Sequence, residues 1–231
     1  MPHLVITGAS AGIGAATAEL FKKNDFDVVN LSRKPCPVAG VTHIKCDLSQ
    51  PDFVHSIRDE LINALGDSTQ ITLIHNAALL INDNIASTES EQLRRVLEIN
   101  VVAASSLNQI LIPRMSSGSS VLYVGSTLGE KAVPNSFTYA TSKHAVIGMM
   151  RATCQDLVGS GIHTACICPG FTDTEMLREH VGGSMEALEA VGNLSAYGRL
   201  IEPEEIASTI KFACENPVVN GTIIHANLGQ I

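Results

Sequence analysis

Tyr139 and Lys143 stand four residues apart in Tyr139-Ala140-Thr141-Ser142-Lys143. On a helix that spacing puts both on one face. A phenol ordinarily keeps its proton up to about pH 10, and an ammonium beside it favours the phenolate. The pair could pass a proton to a bound oxygen, with Ser126 as a second hydrogen-bond partner. Taken alone, it could equally be an amphipathic surface feature. A second constellation is Thr7-Gly8-Ala9-Ser10-Ala11-Gly12-Ile13-Gly14. Its glycines permit a tight turn and bring backbone N–H groups to a pyrophosphate at a helix N-terminus. The spacing is not Gly-x-Gly-x-x-Gly, and a plain strand-to-helix turn would read similarly. A third is Ser32-Arg33-Lys34, where an NAD site usually carries Asp or Glu for the ribose 2′-hydroxyl. Arg33 could instead grip a 2′-phosphate. That favours NADP(H) over NAD(H), against the plainer reading of a solvated basic loop.

These residues need elements to hold them. Short apolar strands alternate with helical patterns along the chain. Strands are expected at Leu4–Thr7, Asp27–Ser32, Val41–Cys46, Ile71–His75, Ser120–Val124, Ile162–Cys168 and Thr222–Ala226. Helices are expected at Gly12–Lys23, Pro51–Leu65, one or two within Thr88–Met115, then Tyr139–Val158 and Pro203–Cys214. Thr174–Leu194 is a weak helical pattern interrupted by Gly182-Gly183. The alternation predicts an α/β fold, a doubly wound parallel sheet of about seven strands with helices on both faces. Ligands of such sheets bind beyond the carboxyl ends of the strands. Every candidate residue above follows a strand. So do Asp47-Leu48, with Asp47 too far from Pro51 to cap the next helix and free to face an adenine, and Asn76-Ala77-Ala78, small enough to admit a flat ligand.

The 231 residues are 45% hydrophobic and 16% charged, which excludes wholesale disorder. No apolar run approaches the roughly 18 residues of a membrane span, and Met1-Pro2-His3 leads directly into a strand without a basic or apolar leader. A net charge of −8 argues against nucleic acid and against an acidic membrane as partners. The expected location is cytoplasmic. The six cysteines, among them Cys166-Ile167-Cys168 on one strand face, are then reduced, buried thiols. No His/Cys cluster has ligand spacing, so no metal is expected. One unit spanning 1–231 accommodates all of these elements.

The ordered set of motifs resembles the short-chain dehydrogenase/reductase family. Thr7-Gly8-x-x-x-Gly12-Ile13-Gly14 is similar to its cofactor motif, and Tyr139-x-x-x-Lys143 to its active-site motif. Asn100 and Ser126 precede them at the family's spacing, and Pro169-Gly170-Phe171-Thr172-Asp173-Thr174 is similar to the loop after its sixth strand. The resemblance runs from Leu4 to Gly229 and implies a Rossmann-like fold that interconverts a carbonyl and an alcohol by hydride transfer. Tyr139 would give its proton to the carbonyl oxygen, Ser126 would hydrogen-bond that oxygen, and Lys143 would favour the phenolate and bind the nicotinamide ribose. Asn100 would hold a water behind Lys143.

By the same resemblance NADP(H) would be held by Gly8, Ser10, Gly12, Ile13, Gly14, Arg33, Asp47, Leu48, Asn76, Ala77, Pro169, Gly170, Thr172 and Thr174, besides Tyr139 and Lys143. Residues 174–197 would close over a small carbonyl or alcohol substrate, and the chain would form a homodimer or homotetramer, with Val101–Ile112 and Ala145–Leu157 as candidate packing faces. The Tyr-x-x-x-Lys spacing disfavours an enoyl reductase. A catalytically silent NADP(H) sensor on the same fold is the alternative. Two departures stand out: Ala78 replaces the family's glycine, and Asn227-Leu228-Gly229 replaces Asp-Gly-Gly. His75 and His144 read as packing or surface residues.

Overall fold

The computed structural model describes residues 1–230. Among these, seven strands form one parallel sheet: β1 His3–Thr7, β2 Asp27–Ser32, β3 Thr42–Lys45, β4 Ile71–His75, β5 Ser120–Val124, β6 His163–Pro169 and β7 Ile223–Ala226. Their order is β3-β2-β1-β4-β5-β6-β7. The chain reverses its direction of travel across the sheet between β1 and β4, which is where ligands of open α/β sheets bind. Val5 pairs with both Val29 and Leu73, so the carboxyl ends of these strands lie side by side.

Alternate residues of the inner strands feed two cores, because successive side chains point to opposite faces. Leu4, Ile6, Leu122 and Ile167 are buried on one face with α1 (Gly12–Lys22) and the helix Pro203–Glu215. Val5, Leu73, Val121 and Cys166 are buried on the other with α2 (Phe53–Leu65) and the helices of 103–111 and 137–156. Strands buried on both faces read as continuous apolar runs rather than alternating ones, as these do in sequence.

The long helical stretch after β4 has three parts. α3 (Ser90–Leu97) runs into a π-helical turn at Glu98–Val102 and then into α4 (Ala103–Leu111). Such π turns recur at functional sites, and this one carries Asn100. The whole stretch is long and apolar enough to cross a membrane, yet Ala103, Leu107 and Leu111 pack into the sheet core. α5 spans Phe137–Asp156. The weak pattern at 174–194 resolves into α6 (Glu175–His180) and α7 (Met185–Gly192). Gly182 and Gly183, both at φ +71, separate them in a backbone region that favours glycine. α8 spans Pro203–Glu215.

Two expectations need correction. Pro51 does not open α2; Asp52 is the N-cap and helix starts at Phe53, because a tight turn from the Gln50 carbonyl to the Phe53 amide comes first. Only Cys46, Cys166 and Cys168 are fully buried, while Cys36, Cys154 and Cys214 are partly exposed; all six are free thiols. Ala78 carries no conformational penalty, since it lies outside the left-handed region. Leu228 does lie there, at φ +50, where the family pattern has glycine.

Candidate active site

The glycine turn is built around polar side chains. Gly8 has φ +72 and its amide donates to the Leu31 carbonyl, folding the turn back over β2. A Cβ at Gly14 would lie 2.3 Å from the Gly8 carbonyl oxygen, so only glycine lets α1 pack this tightly against the turn. Asn30 Oδ1 accepts from the Ala9 amide at 3.0 Å. Thr7 Oγ1 accepts from the Asn76 and Ala77 amides, both at 3.0 Å, and Asn76 Nδ2 donates to the Thr7 and Gly8 carbonyls. Asn76 thus stitches β4 to the turn, consistent with its place at the switch point.

The α1 N-cap is Ala11, whose side chain cannot cap. The first-turn amides, including those of Gly12, Ile13 and Gly14, are therefore left to a ligand or solvent. A cradle of glycines with uncapped helix amides suits a pyrophosphate, and in this respect the residues present fit a dinucleotide.

At the adenine end, Asp47 Oδ1 accepts from the Ser49 amide and hydroxyl, at 3.0 and 2.8 Å. Those bonds hold its carboxyl below the ordinary range, and the Arg33 and Arg95 charges add to the effect. Asp47 thus caps its own local turn, a role sequence reading assigned to no residue. Arg33 is exposed, and Leu48, next to Asp47 in sequence, is buried.

On the other side of the switch point, Ser126 caps a short 3₁₀ turn, its Oγ accepting from the Leu128 amide at 3.1 Å. Tyr139 and Lys143 share one face of α5, as their spacing predicts, with Nζ 5.5 Å from the centre of the Tyr139 ring. Lys143 is only 3% exposed. Nζ donates to the Val124 carbonyl at 2.8 Å, two residues before Ser126, so the ammonium ties α5 to the end of β5. Asn100 Oδ1 accepts from the Leu79 amide. Its Nδ2 donates to the Leu79 carbonyl and to Ser142 Oγ, and Ser142 Oγ donates to the Tyr139 carbonyl. The four residues Asn100, Ser126, Tyr139 and Lys143 are thus connected through β5, the π turn and α5.

Thr174 caps α6, its Oγ1 accepting from the Leu177 amide at 3.3 Å, and it abuts the glycine turn: a Cβ on Gly12 would lie 3.0 Å from Thr174 Cγ2. Thr172 Oγ1 donates to the Gly170 carbonyl, and the Gly170 amide donates to Ala226, which aligns the end of β6 with β7. Pro169 closes β6. Ser10 is half-buried within the turn. His144 is exposed, whereas His75 is buried.

Several supporting residues escaped the sequence reading. Asn30, a polar residue between Val29 and Leu31 of a buried strand, carried a signal that could have marked it, whereas Ser142, between Thr141 and Lys143, carried none. Asp83 gave no such signal. It sits in a polar loop, yet it is buried and its Oδ1 accepts from the Thr138 amide at 3.1 Å. It therefore caps α5 immediately before Tyr139, where the N-cap residue Ser136 makes no side-chain cap.

This sheet order, glycine turn and serine–tyrosine–lysine cluster define a dinucleotide-binding oxidoreductase of the Rossmann-like class. A family sequence model described as Enoyl-(Acyl carrier protein) reductase matches residues 8–230. The chain belongs to the short-chain dehydrogenase/reductase family, NAD(P)-dependent oxidoreductases acting on CH–OH and C=O groups. It is 27% identical to Carbonyl reductase family member 4 of Xenopus laevis, over 95% of this chain and 93% of that one. It is 26% identical to the 3-oxoacyl-[acyl-carrier-protein] reductase of Thermotoga maritima, over 98% and 96%. The ligand-free aldohexose dehydrogenase of Thermoplasma acidophilum superposes with a TM-score of 0.91 at 28% identity, covering 99% of this chain and 93% of that one.

Proposed function

We propose that the chain is an NADPH-preferring reductase of a small carbonyl compound, with Tyr139 as the proton donor. The observation that carries this reading is the buried Lys143 ammonium beside the half-buried Tyr139 ring, with Ser126 two residues beyond the carbonyl that holds Nζ. The dinucleotide, when bound, supplies the hydride. Gly8, Ser10, Gly12, Ile13 and Gly14 would cradle its pyrophosphate. Arg33 would meet the 2′-phosphate, since no acid stands at the end of β2 to take a ribose hydroxyl. Asp47 offers Oδ2 to the adenine, its Oδ1 being committed to Ser49. Leu48, Asn76 and Ala77 would line the floor, and Pro169, Gly170, Thr172 and Thr174 the nicotinamide end.

In the reaction, Ser126 Oγ and Tyr139 Oη would both hydrogen-bond the carbonyl oxygen. As negative charge develops there, the Tyr139 proton moves to it, and the nearby ammonium stabilises the phenolate left behind. Asn100 steadies the Tyr139 backbone through Ser142. Carbonyl rather than enoyl chemistry suits the Tyr-x-x-x-Lys spacing, and the relatives named for carbonyl and 3-oxoacyl reduction support it.

Residues 174–197 would close over the substrate. The glycines at 182 and 183 between α6 and α7 support a segment that can hinge there, with the Asn82 amide reaching the His180 carbonyl and the Ala196 amide the Leu228 carbonyl. Assembly into a homodimer or homotetramer through the outer faces of α4 and α5 completes the reading, and Val102, 42% exposed on that side, is available for such a contact. The test is to offer NADPH and NADH separately with aldehydes, ketones, quinones and β-ketoacyl thioesters while following nicotinamide absorbance. Faster oxidation of NADPH with at least one carbonyl is expected. Oxidation only with NADH, or only with enoyl substrates, would overturn the reading.

A further inference from the structure

Residues 174–197 carry their charge unevenly. They hold four exposed carboxylates, Glu175, Glu179, Glu186 and Glu189, against one guanidinium, Arg178. That guanidinium is already committed: its Nε donates to Asp173 Oδ1 at 2.7 Å and its Nη2 to Asp173 Oδ2 at 2.6 Å. Arg199, just past the segment, grips both oxygens of Glu205 in the same way, at 2.7 and 2.8 Å. Arginine recognises a carboxylate or phosphate through this two-pronged fork. Each arginine would have to share or release its present partner to take such a group from a substrate.

The neighbouring loops do not restore the balance. The loop after β4 carries no lysine or arginine. It meets the segment where Asn82 Nδ2 donates to the His180 carbonyl at 3.4 Å. Next to Asn82, Asp83 is buried, and its Oδ2 has no hydrogen-bond partner among the described residues. In the loop after β5, Glu130 pairs with His225 at 2.8 Å, and Lys131 is the one lysine or arginine. Large apolar side chains are exposed on the same three stretches: Ile85, Val133, Met176 and Met185.

We propose that the substrate is an apolar carbonyl compound without negative charge, and that the carboxylates of 174–197 discriminate against carbonyl compounds bearing a carboxylate or phosphate. The proposal rests on the reading of the chain as a carbonyl reductase that works through Tyr139. An apolar body gains by leaving water against the exposed apolar side chains. An anion entering with it finds no open guanidinium to replace its hydration. One pair of charges about 10 Å apart in water interacts weakly, but an excess of three like charges at about that distance amounts to roughly a tenfold penalty. The effect is long-range, so it fades as salt shortens the screening length from about 10 Å at 0.1 M to about 3 Å at 1 M.

A matched pair of substrates reads this directly: para-carboxybenzaldehyde and its methyl ester, each with saturating NADPH. The ratio of their kcat/KM values cancels changes in the amount of active enzyme. At low ionic strength the ester should be preferred by about 10-fold, and the gap should narrow at high salt. Intrinsic reactivity and the cofactor's own phosphates also bear on the ratio, so a variant assigns the effect. Glu179→Lys combined with Glu189→Lys reverses two charges at positions late in their helices, where cations suit the helix dipole. It should raise the acid-to-ester ratio by about 10-fold.

A ratio left unchanged by the double substitution would overturn the proposal. So would an acid reduced as efficiently as its ester by the wild type at low ionic strength. Calorimetric binding of the same two compounds to the NADP⁺ complex, in which no hydride is available to them, should give the same order without turnover; equal affinities would likewise overturn the proposal. Retained turnover in Tyr139→Phe would instead refute the underlying reading, and the binding ratio would still decide the charge selectivity.

Discussion

A buried ammonium and a buried imidazole in the same site have to be reconciled residue by residue. Lys143 Nζ donates to the Val124 carbonyl, and His75 stays neutral because burial disfavours the charged ring, with Asn108 its partner at Nε2. In the unfolded chain His75 titrates near the ordinary value of about 6.5, whereas in the folded protein it titrates near 4, because burial disfavours the charged ring. Between these values the unfolded chain binds a proton that the folded chain does not. Unfolding free energy therefore falls as pH drops from about 6.5 toward 4, by about 2 kcal/mol at pH 5, and is unaffected by this group above about 6.5. Urea midpoints at pH 7 and pH 5 check this: the drop should shrink in His75→Gln, and an equal drop would contradict it. Arg33 belongs to the same scale. It is exposed, so Arg33→Ala should leave stability within about 0.5 kcal/mol while weakening NADPH far more than NADH in a binding titration. Equal weakening would make it a loop cation only.

Elements position these residues through bonds that cross long stretches of sequence. α5 places Tyr139 and Lys143 by its period, but its start is fixed by Asp83, whose carboxylate meets the Thr138 amide. Asp83→Ala removes that cap, which costs about 1 kcal/mol and lowers Tm by roughly 2–4 °C for a chain of this size. It should also reduce kcat with little change in cofactor affinity, measured by melting and by steady-state kinetics. The Tyr139–Lys143 pairing was legible in sequence because helical spacing is local. So were the strands, because apolar runs between glycines are local too. Asp83 and the Asn108–Tyr123–Thr153 chain were not, because their partners are 15 to 55 positions away and polar loop residues look alike. The π turn at Glu98–Val102 was likewise hidden: its sequence, Glu-Ile-Asn-Val-Val, continues an ordinary helical pattern.

At the scale of the whole molecule, one sheet gathers the candidate residues beyond the carboxyl ends of β1 to β6, as the alternation of strands and helices implies. Of the departures from the family pattern, Asn227-Leu228-Gly229 lies beyond β7, while Ala78 precedes Leu79, whose backbone bonds Asn100. Ala78 adopts an ordinary conformation, and Leu228 holds the left-handed position usually given to glycine while packing against the core. The central claim is that this arrangement moves a proton through Tyr139. The measurement that tests it most directly is nicotinamide oxidation by wild type and Tyr139→Phe against a reducible carbonyl, with cofactor binding measured alongside. Loss of turnover by at least about 10²-fold with cofactor affinity unchanged is the expected result. Turnover in Tyr139→Phe equal to wild type would contradict it.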